Sequence, residues 1–314
     1  MKLVSFRLAD ETRLGLLSGE RILNAASSCA AIGEAAAAGM LRTMRTFLNA
    51  GAPAWRVMRL LAGAAAESPD SVQWIDAPLA PPVPEPPKLI CLAGNYAEHV
   101  RESGQQAAEK TQTTPRLFMK PPSTTLIAQG EPIIIPREAG WMDWEGELAI
   151  VIGRRVRHVT AAHALEHVAG YTLLNDVSER CLPVGSERKP REGDRWFDWL
   201  LGKWMDASAP LGPCLVSRED VPDPQSLTLE VRVNGALKQQ SSTAAMVFSC
   251  AEIIAWISRY LTLEPGDIIS TGTPAGVGKA RGEWLQAGDQ VEVSIPGIGK
   301  LVNPVIDERD QGNS

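Results

Sequence analysis

The stretch Asp143-Trp144-Glu145-Gly146-Glu147-Leu148-Ala149-Ile150-Val151-Ile152-Gly153 constrains this chain more than any other. Leu148 to Ile152 is a short apolar run rich in β-branched residues, and Gly153 stops it, so a buried strand is predicted. Side chains alternate along a strand, which puts Glu145 and Glu147 on one face. Two adjacent carboxylates at the head of a buried strand repel each other and lose hydration. Something positive must sit between them, and a divalent metal ion is the simplest candidate. Taken alone, Glu-x-Glu would also suit an edge strand with surface ion pairs.

Composition narrows the choice of ion and of compartment. Among 314 residues there are four His, and the five cysteines (Cys29, Cys91, Cys181, Cys214, Cys250) are scattered with no CxxC pair. That disfavours zinc and a disulfide framework. Oxygen ligands select Mg²⁺ or Mn²⁺, with Ca²⁺ also possible. Unpaired cysteines and an N-terminus without a signal-peptide core predict a cytoplasmic protein. The net charge is −6, and no Lys/Arg-rich face stands out, so nucleic acid is not an expected partner. No apolar run reaches membrane-spanning length, so a membrane is not expected either.

Three segments are predicted along the chain. Residues 1–78 form a small α/β domain, with strands at 3–6, 13–17 and 21–23. Its helices are marked by Met40, Leu41, Met44 and Leu48 before Gly51, and by Trp55, Met58, Leu60 and Leu61. Residues 79–87 are proline-rich, an extended linker. Residues 88–314 are the catalytic domain. It reads as strands at 88–93, 117–120, 131–136, 148–152, 170–176 and 267–270, with a terminal pair at 290–295 and 300–305. Asn234-Gly235 after the alternating run Leu227–Val233 is a hairpin signal. Short helices are expected at 96–102, 161–167 and 251–261. Residues 103–115 read as a mobile polar loop and 181–202 as an irregular insertion. Strands dominate without regular strand–helix alternation, so the fold class is α+β rather than a doubly wound sheet.

Further residues can join the two glutamates. Asp176 ends a strand and is the best third ligand for a hard cation. His99 and Glu102 lie at i and i+3 on a short helix, where a carboxylate can orient an imidazole as a general base. Arg180 and Lys203 can contact a substrate carboxylate or a developing oxyanion, although any single Arg or Lys is more often a salt-bridge partner. The segment 271–278 is glycine-rich and could offer N–H groups and hydroxyls to an anion. It lacks a P-loop lysine. His158, His163 and His167 read as surface residues.

These fragments occur in an ordered set from about Lys88 to Val305. They are Asn95-Tyr96-x-x-His99-x-x-Glu102, Phe118-x-Lys120-Pro121, Asp143-Trp144-Glu145-Gly146-Glu147-Leu148, Gly170-Tyr171 through Asn175-Asp176-Val177-Ser178-x-Arg180, Lys203 with Pro210-Leu211-Gly212-Pro213, and Gly266-Asp267-Ile268-Ile269-x-Thr271-Gly272-Thr273-Pro274. The set resembles the fumarylacetoacetate hydrolase family. The resemblance implies a mixed β-sandwich roll, a homodimer, and metal ligation by Glu145, Glu147 and Asp176. It makes His99 and Glu102 a water-activating dyad, sets Arg180 and Lys203 on substrate oxygens, and places Thr273, with Gly272 and Tyr96, against substrate. Two departures, Cys181 and Pro183 where members often carry Asp and Gln and an individual insertion at 184–201, lie where substrate identity is set.

The function this implies is metal-dependent hydrolysis of a C–C bond in a 2,4-dioxo acid of the acylpyruvate or fumarylpyruvate type, giving pyruvate and a carboxylic acid. The alternatives are decarboxylation of an oxaloacetate-like 2-oxo acid, and keto–enol or double-bond isomerisation in aromatic catabolism. A non-catalytic binding protein of the same fold is the rival from outside the enzymes.

Overall fold

A computed structural model describes residues 1–104, 106–107, 109–182 and 188–311. Its strands are β1 (Lys2–Leu8), β2 (Glu11–Ser18), β3 (Arg21–Asn24), β4 (Trp74–Ile75), β5 (Leu89–Ala93), β6 (Arg116–Met119), β7 (Ile133–Ile135), β8 (Gly146–Ile152), β9 (Val168–Asn175), β10 (Ala209–Ser217), β11 (Thr228–Val233), β12 (Ala236–Ser242), β13 (Ile268–Ser270), β14 (Gln290–Ile295) and β15 (Gly299–Asp307). The principal helices are α1 (Met44–Ala50), α2 (Ala52–Glu67), α3 (Ala97–Glu102), α4 (Asp194–Leu201) and α5 (Cys250–Ser258). The fold is strand-dominated α+β, as the sequence predicts.

A twelve-stranded sheet carries the order β4-β3-β2-β1-β10-β9-β8-β13-β5-β6, and a second sheet of five strands runs β12-β11-β14-β15-β7. The strand β8 is buried along its whole length, because it lies mid-sheet with a core on each face. Leu148, Ile150 and Ile152 pack against α5 and the second sheet. Ala149 and Val151 pack with Leu3, Met44, Phe47, Val57, Met58 and Leu61 of the N-terminal segment. That segment joins the large sheet through β1, paired with β10 at Lys2↔Val216 and Leu3↔Leu215. The proline-rich stretch stays close to it: Leu79 and Ala80 pair with β1, and the Ser5 hydroxyl donates to Pro82 O at 2.9 Å.

Two local expectations need correcting, and one strand was not expected. The helix expected from Met40 starts at Met44, because Thr43 closes a capping box with Thr46. Residues 181–202 are not wholly irregular: 194–201 form α4, and Arg188 grips Asp198 through two bonds of 2.9 and 2.7 Å. Residues 183–187 of that stretch, with Pro183, lie outside the described residues. Strand β10 was not anticipated, since Pro210 and Pro213 argue against a central strand. Its ladder to β9 jumps from Tyr171↔Val216 to Leu173↔Gly212, which takes Pro213 out of the paired positions.

Gly170 sits on β9 where a Cβ would come within 2.0 Å of Val216 O. Gly63 is exposed on α2, with nothing within 4 Å of a built Cβ. Urea denaturation should show Gly170→Ala destabilised by about 2 kcal/mol or more through forced backbone displacement. Gly63→Ala should be neutral or stabilised by up to about 1 kcal/mol.

Candidate metal and catalytic site

Strand register brings the acidic residues together. β8 runs antiparallel to β9 with Gly146↔Asn175 and Glu147↔Leu174, so the head of one strand meets the tail of the other. Glu145 precedes β8, Glu147 is its second residue, and Asp176 follows β9. The turn is fastened by Asp176 N donating to Glu145 O at 2.8 Å and Glu145 N donating to Asn175 Oδ1 at 2.9 Å. One oxygen from each of Glu145, Glu147 and Asp176 lies within 4.8 Å of the others. All three residues are buried, at 4%, 1% and 0% exposure. Gly146 between the glutamates has no room for a side chain: a Cβ there would lie 2.3 Å from Val231 Cγ2.

The cations around this cluster are unevenly shared. Lys203 Nζ donates to Glu145 Oε2 at 2.6 Å and to Asp176 Oδ2 at 2.7 Å. Lys120 Nζ, fully buried, donates to Asp176 Oδ1 and to Val177 O, both at 2.9 Å. Arg180 spans Asp143 Oδ2, at 2.8 Å, and Glu145. Burial raises the Glu145 pKa, but Arg180, then Lys203 and His99, outweigh it and hold the carboxyl below the usual carboxylate range. Glu147 has no such partner. Its Oε2 accepts from Gly272 N at 2.7 Å and from the Ser270 hydroxyl, while its Oε1 is buried without a hydrogen-bond partner. Burial, then the charges on Asp176 and Glu145, push its pKa well above the ordinary value. Burial also lowers the Lys120 pKa, only partly offset by Asp176.

These residues fit a hard divalent cation. The donor set is all oxygen, the donors converge, and Glu147 Oε1 is a buried acceptor with nothing to accept from.

The expected dyad forms beside this cluster. His99 Nδ1 meets Glu102 Oε1 at 2.8 Å, and Glu102 Oε2 accepts from Gly276 N at 2.7 Å. The His99 side chain keeps 18% exposure. With Nδ1 engaged, Nε2 is the ring nitrogen left for chemistry. The same turn carries Gly272 and Thr273. Gly272 adopts φ +91° and packs against Asn95, whose Nδ2 donates to Thr271 O at 2.8 Å. Tyr96 is 2% exposed and enclosed in the core, so the structure does not present it on an open surface. Phe118 and Trp199 flank Lys203, with ring centroids 5.2 and 5.6 Å from Nζ. Of the histidines expected at the surface, His158 and His163 are exposed, the latter paired with Glu166, whereas His167 is half-buried with an unpartnered Nδ1.

Sequence reasoning missed Lys120, Gln239 and Ser270 as parts of the site. Lys120 carried a signal: it lies two residues after Phe118 in an extended segment and so shares its buried face. Gln239 carried none, since it sits in a polar hairpin arm.

Uneven pairing gives a stability prediction for the metal-free protein. Glu145→Ala strips Arg180 and Lys203 of a buried partner and should cost about 3–5 kcal/mol. Glu147→Gln removes a charge that no side chain compensates and keeps an acceptor for Gly272 N. Chemical denaturation in chelator should find it as stable as the parent or more so.

Known proteins resemble this chain over most of its length. Residues 88–306 match the family model for the fumarylacetoacetate (FAA) hydrolase C-terminal domain. A mitochondrial oxaloacetate tautomerase of Bos taurus is 42% identical over 227 residues, 72% of this chain and 68% of that protein. The solved fumarylacetoacetate hydrolase of Exiguobacterium antarcticum is 31% identical and superposes with a TM-score of 0.73, covering 98% of this chain and all (100%) of the other. Maleylpyruvate hydrolase of Sphingobium, solved in complex with manganese(II) ion and pyruvate, is 28% identical with a TM-score of 0.71, covering 98% of this chain and 99% of that one. No helix among the described residues is long and apolar enough to cross a membrane. With a family model spanning most of its length and a relative this similar, the chain belongs to the fumarylacetoacetate hydrolase family.

Proposed function

We propose that this protein is a divalent-metal-dependent enzyme that interconverts the keto and enol forms of a short 2-oxo dicarboxylate, with oxaloacetate as the substrate. The observation that carries this reading is the placement of a His99–Glu102 dyad beside a buried cluster of oxygen ligands. A base and an electrophilic centre are what enolisation next to a 2-oxo group requires. The printed name of the Bos taurus relative supports the choice of substrate.

Tautomerisation moves one proton between C3 and the oxygen on C2. His99 Nε2 takes the C3 proton and delivers it to the C2 oxygen in the enolising direction, and carries it back in the other. Glu102, held by Gly276 N, stabilises the imidazolium through Nδ1. Lys203 donates a hydrogen bond to the C2 oxygen as negative charge develops there. Arg180 keeps Glu145 ionised, and Thr273 donates to a substrate carboxylate. A Mg²⁺ or Mn²⁺ ion held by Glu145, Glu147 and Asp176 would supply the positive charge that makes a 2-oxo group acidic at C3.

A second reading is hydrolysis of a C–C bond in a 2,4-dioxo acid, with the same dyad taking its proton from water. The likeness to the Exiguobacterium and Sphingobium hydrolases favours it. Enol absorbance and pyruvate release, measured with Mn²⁺ on oxaloacetate and on a panel of 2,4-dioxo acids, separate the two. Fast loss of oxaloacetate enol without pyruvate release is expected. His99→Ala should lower kcat about 10²- to 10⁴-fold. Faster pyruvate release from a 2,4-dioxo acid than enol turnover of oxaloacetate would replace this reading with the hydrolase.

A further inference from the structure

Gln239 lies on β12, in the five-stranded sheet, yet its side chain reaches the head of β8. It is 1% exposed. Its Oε1 accepts from Gly146 N at 3.1 Å. Its Nε2 donates to Thr273 Oγ1 at 2.8 Å and to Pro274 O at 2.7 Å. An N–H on one side and a carbonyl on the other fix which end of the amide faces which partner.

This arrangement dictates what Thr273 can do. A hydroxyl has one proton to donate and two lone pairs to accept with. One lone pair is taken by the Gln239 N–H. The proton must therefore point away from Gln239, and it goes to Gly146 O at 3.0 Å. A carboxylate arriving at Thr273 competes for the proton with the Gly146 carbonyl, while Gln239 keeps the hydroxyl oxygen in place. The turn is seated on the same strand from a second direction, since a Cβ at Gly276 would lie 2.2 Å from Lys238 O.

We propose that Gln239 is a positioning residue that makes the Thr273 hydroxyl an obligatory hydrogen-bond donor toward a substrate carboxylate. This rests on the reading of Thr273 as a carboxylate contact. Gln239 touches no substrate atom; it acts through the direction of one proton. It also ties Gly146, between the two ligand glutamates, to the turn that holds Glu102.

A double-mutant cycle tests this role, with KM and kcat measured on oxaloacetate enol for Mn²⁺-loaded protein and Mn²⁺ affinity measured by calorimetry. Thr273→Val and Gln239→Leu should each raise KM about tenfold, the worth of one charge-assisted hydrogen bond. The double variant should be no worse than either single, with kcat and Mn²⁺ affinity within about twofold of the parent. Gln239→Glu keeps an acceptor for Gly146 N but takes the Thr273 proton for itself. It should raise KM likewise, and it carries the test should the leucine variant fail to fold. Multiplicative KM effects, or a loss of Mn²⁺ affinity as large as the KM change, would make Gln239 a scaffold residue and overturn the proposal. If Thr273→Val raises KM and the Gln239 variants do not, this inference alone fails. If Thr273→Val leaves KM unchanged, the carboxylate contact itself is wrong.

Discussion

The structure turns on one unbalanced charge. Glu145, Glu147 and Asp176 lie side by side in a water-poor sheet end, and only two of them have cationic partners. A buried carboxylate without a cation is costly unless it is neutralised or bound to a metal. Among the described residues, Glu147 accepts hydrogen bonds from a backbone N–H and a hydroxyl but from no Lys or Arg. Lys203, Lys120 and Arg180 pair with the other carboxylates and with Asp143 instead. A single cation bound at Glu147 and its neighbours would remove the imbalance.

The arrangement is carried by strand ends. Antiparallel pairing of β8 with β9 and with β13 places Glu145, Asp176 and the 271–276 turn at one edge of the sheet. That turn gives Gly272 N to Glu147 and Gly276 N to Glu102, so a carboxylate of the acidic cluster and the carboxylate of the dyad are held by the same six residues of backbone. Gln239 reaches it from the second sheet. The acidic cluster, the dyad and the 271–276 turn are therefore rigidly referenced to each other, as the proposed proton transfer would need.

Much of this was legible in the sequence. Alternation along Glu145–Ile152 revealed a buried strand with two carboxylates on one face, and i,i+3 spacing revealed the His99–Glu102 pair. Both signals are local and survive any tertiary context. Less legible were residues whose meaning depends on distant partners. Lys120 meets Asp176 across 56 positions and Gln239 meets Thr273 across 34. Strand β10 was hidden because Pro210 and Pro213 contradict a central strand until the ladder break beside Pro213 is seen. Arg180 was expected on substrate oxygens; its guanidinium spans Asp143 and Glu145, a pairing that spacing alone does not disclose.

Titration calorimetry of Mn²⁺ into the parent protein and into Glu147→Gln tests the cation site most directly. Binding of one ion per chain to the parent, weakened at least about tenfold in the variant, is expected, since one anionic ligand is lost. No binding to the parent, or equal binding to both proteins, would contradict a metal centre built on Glu147.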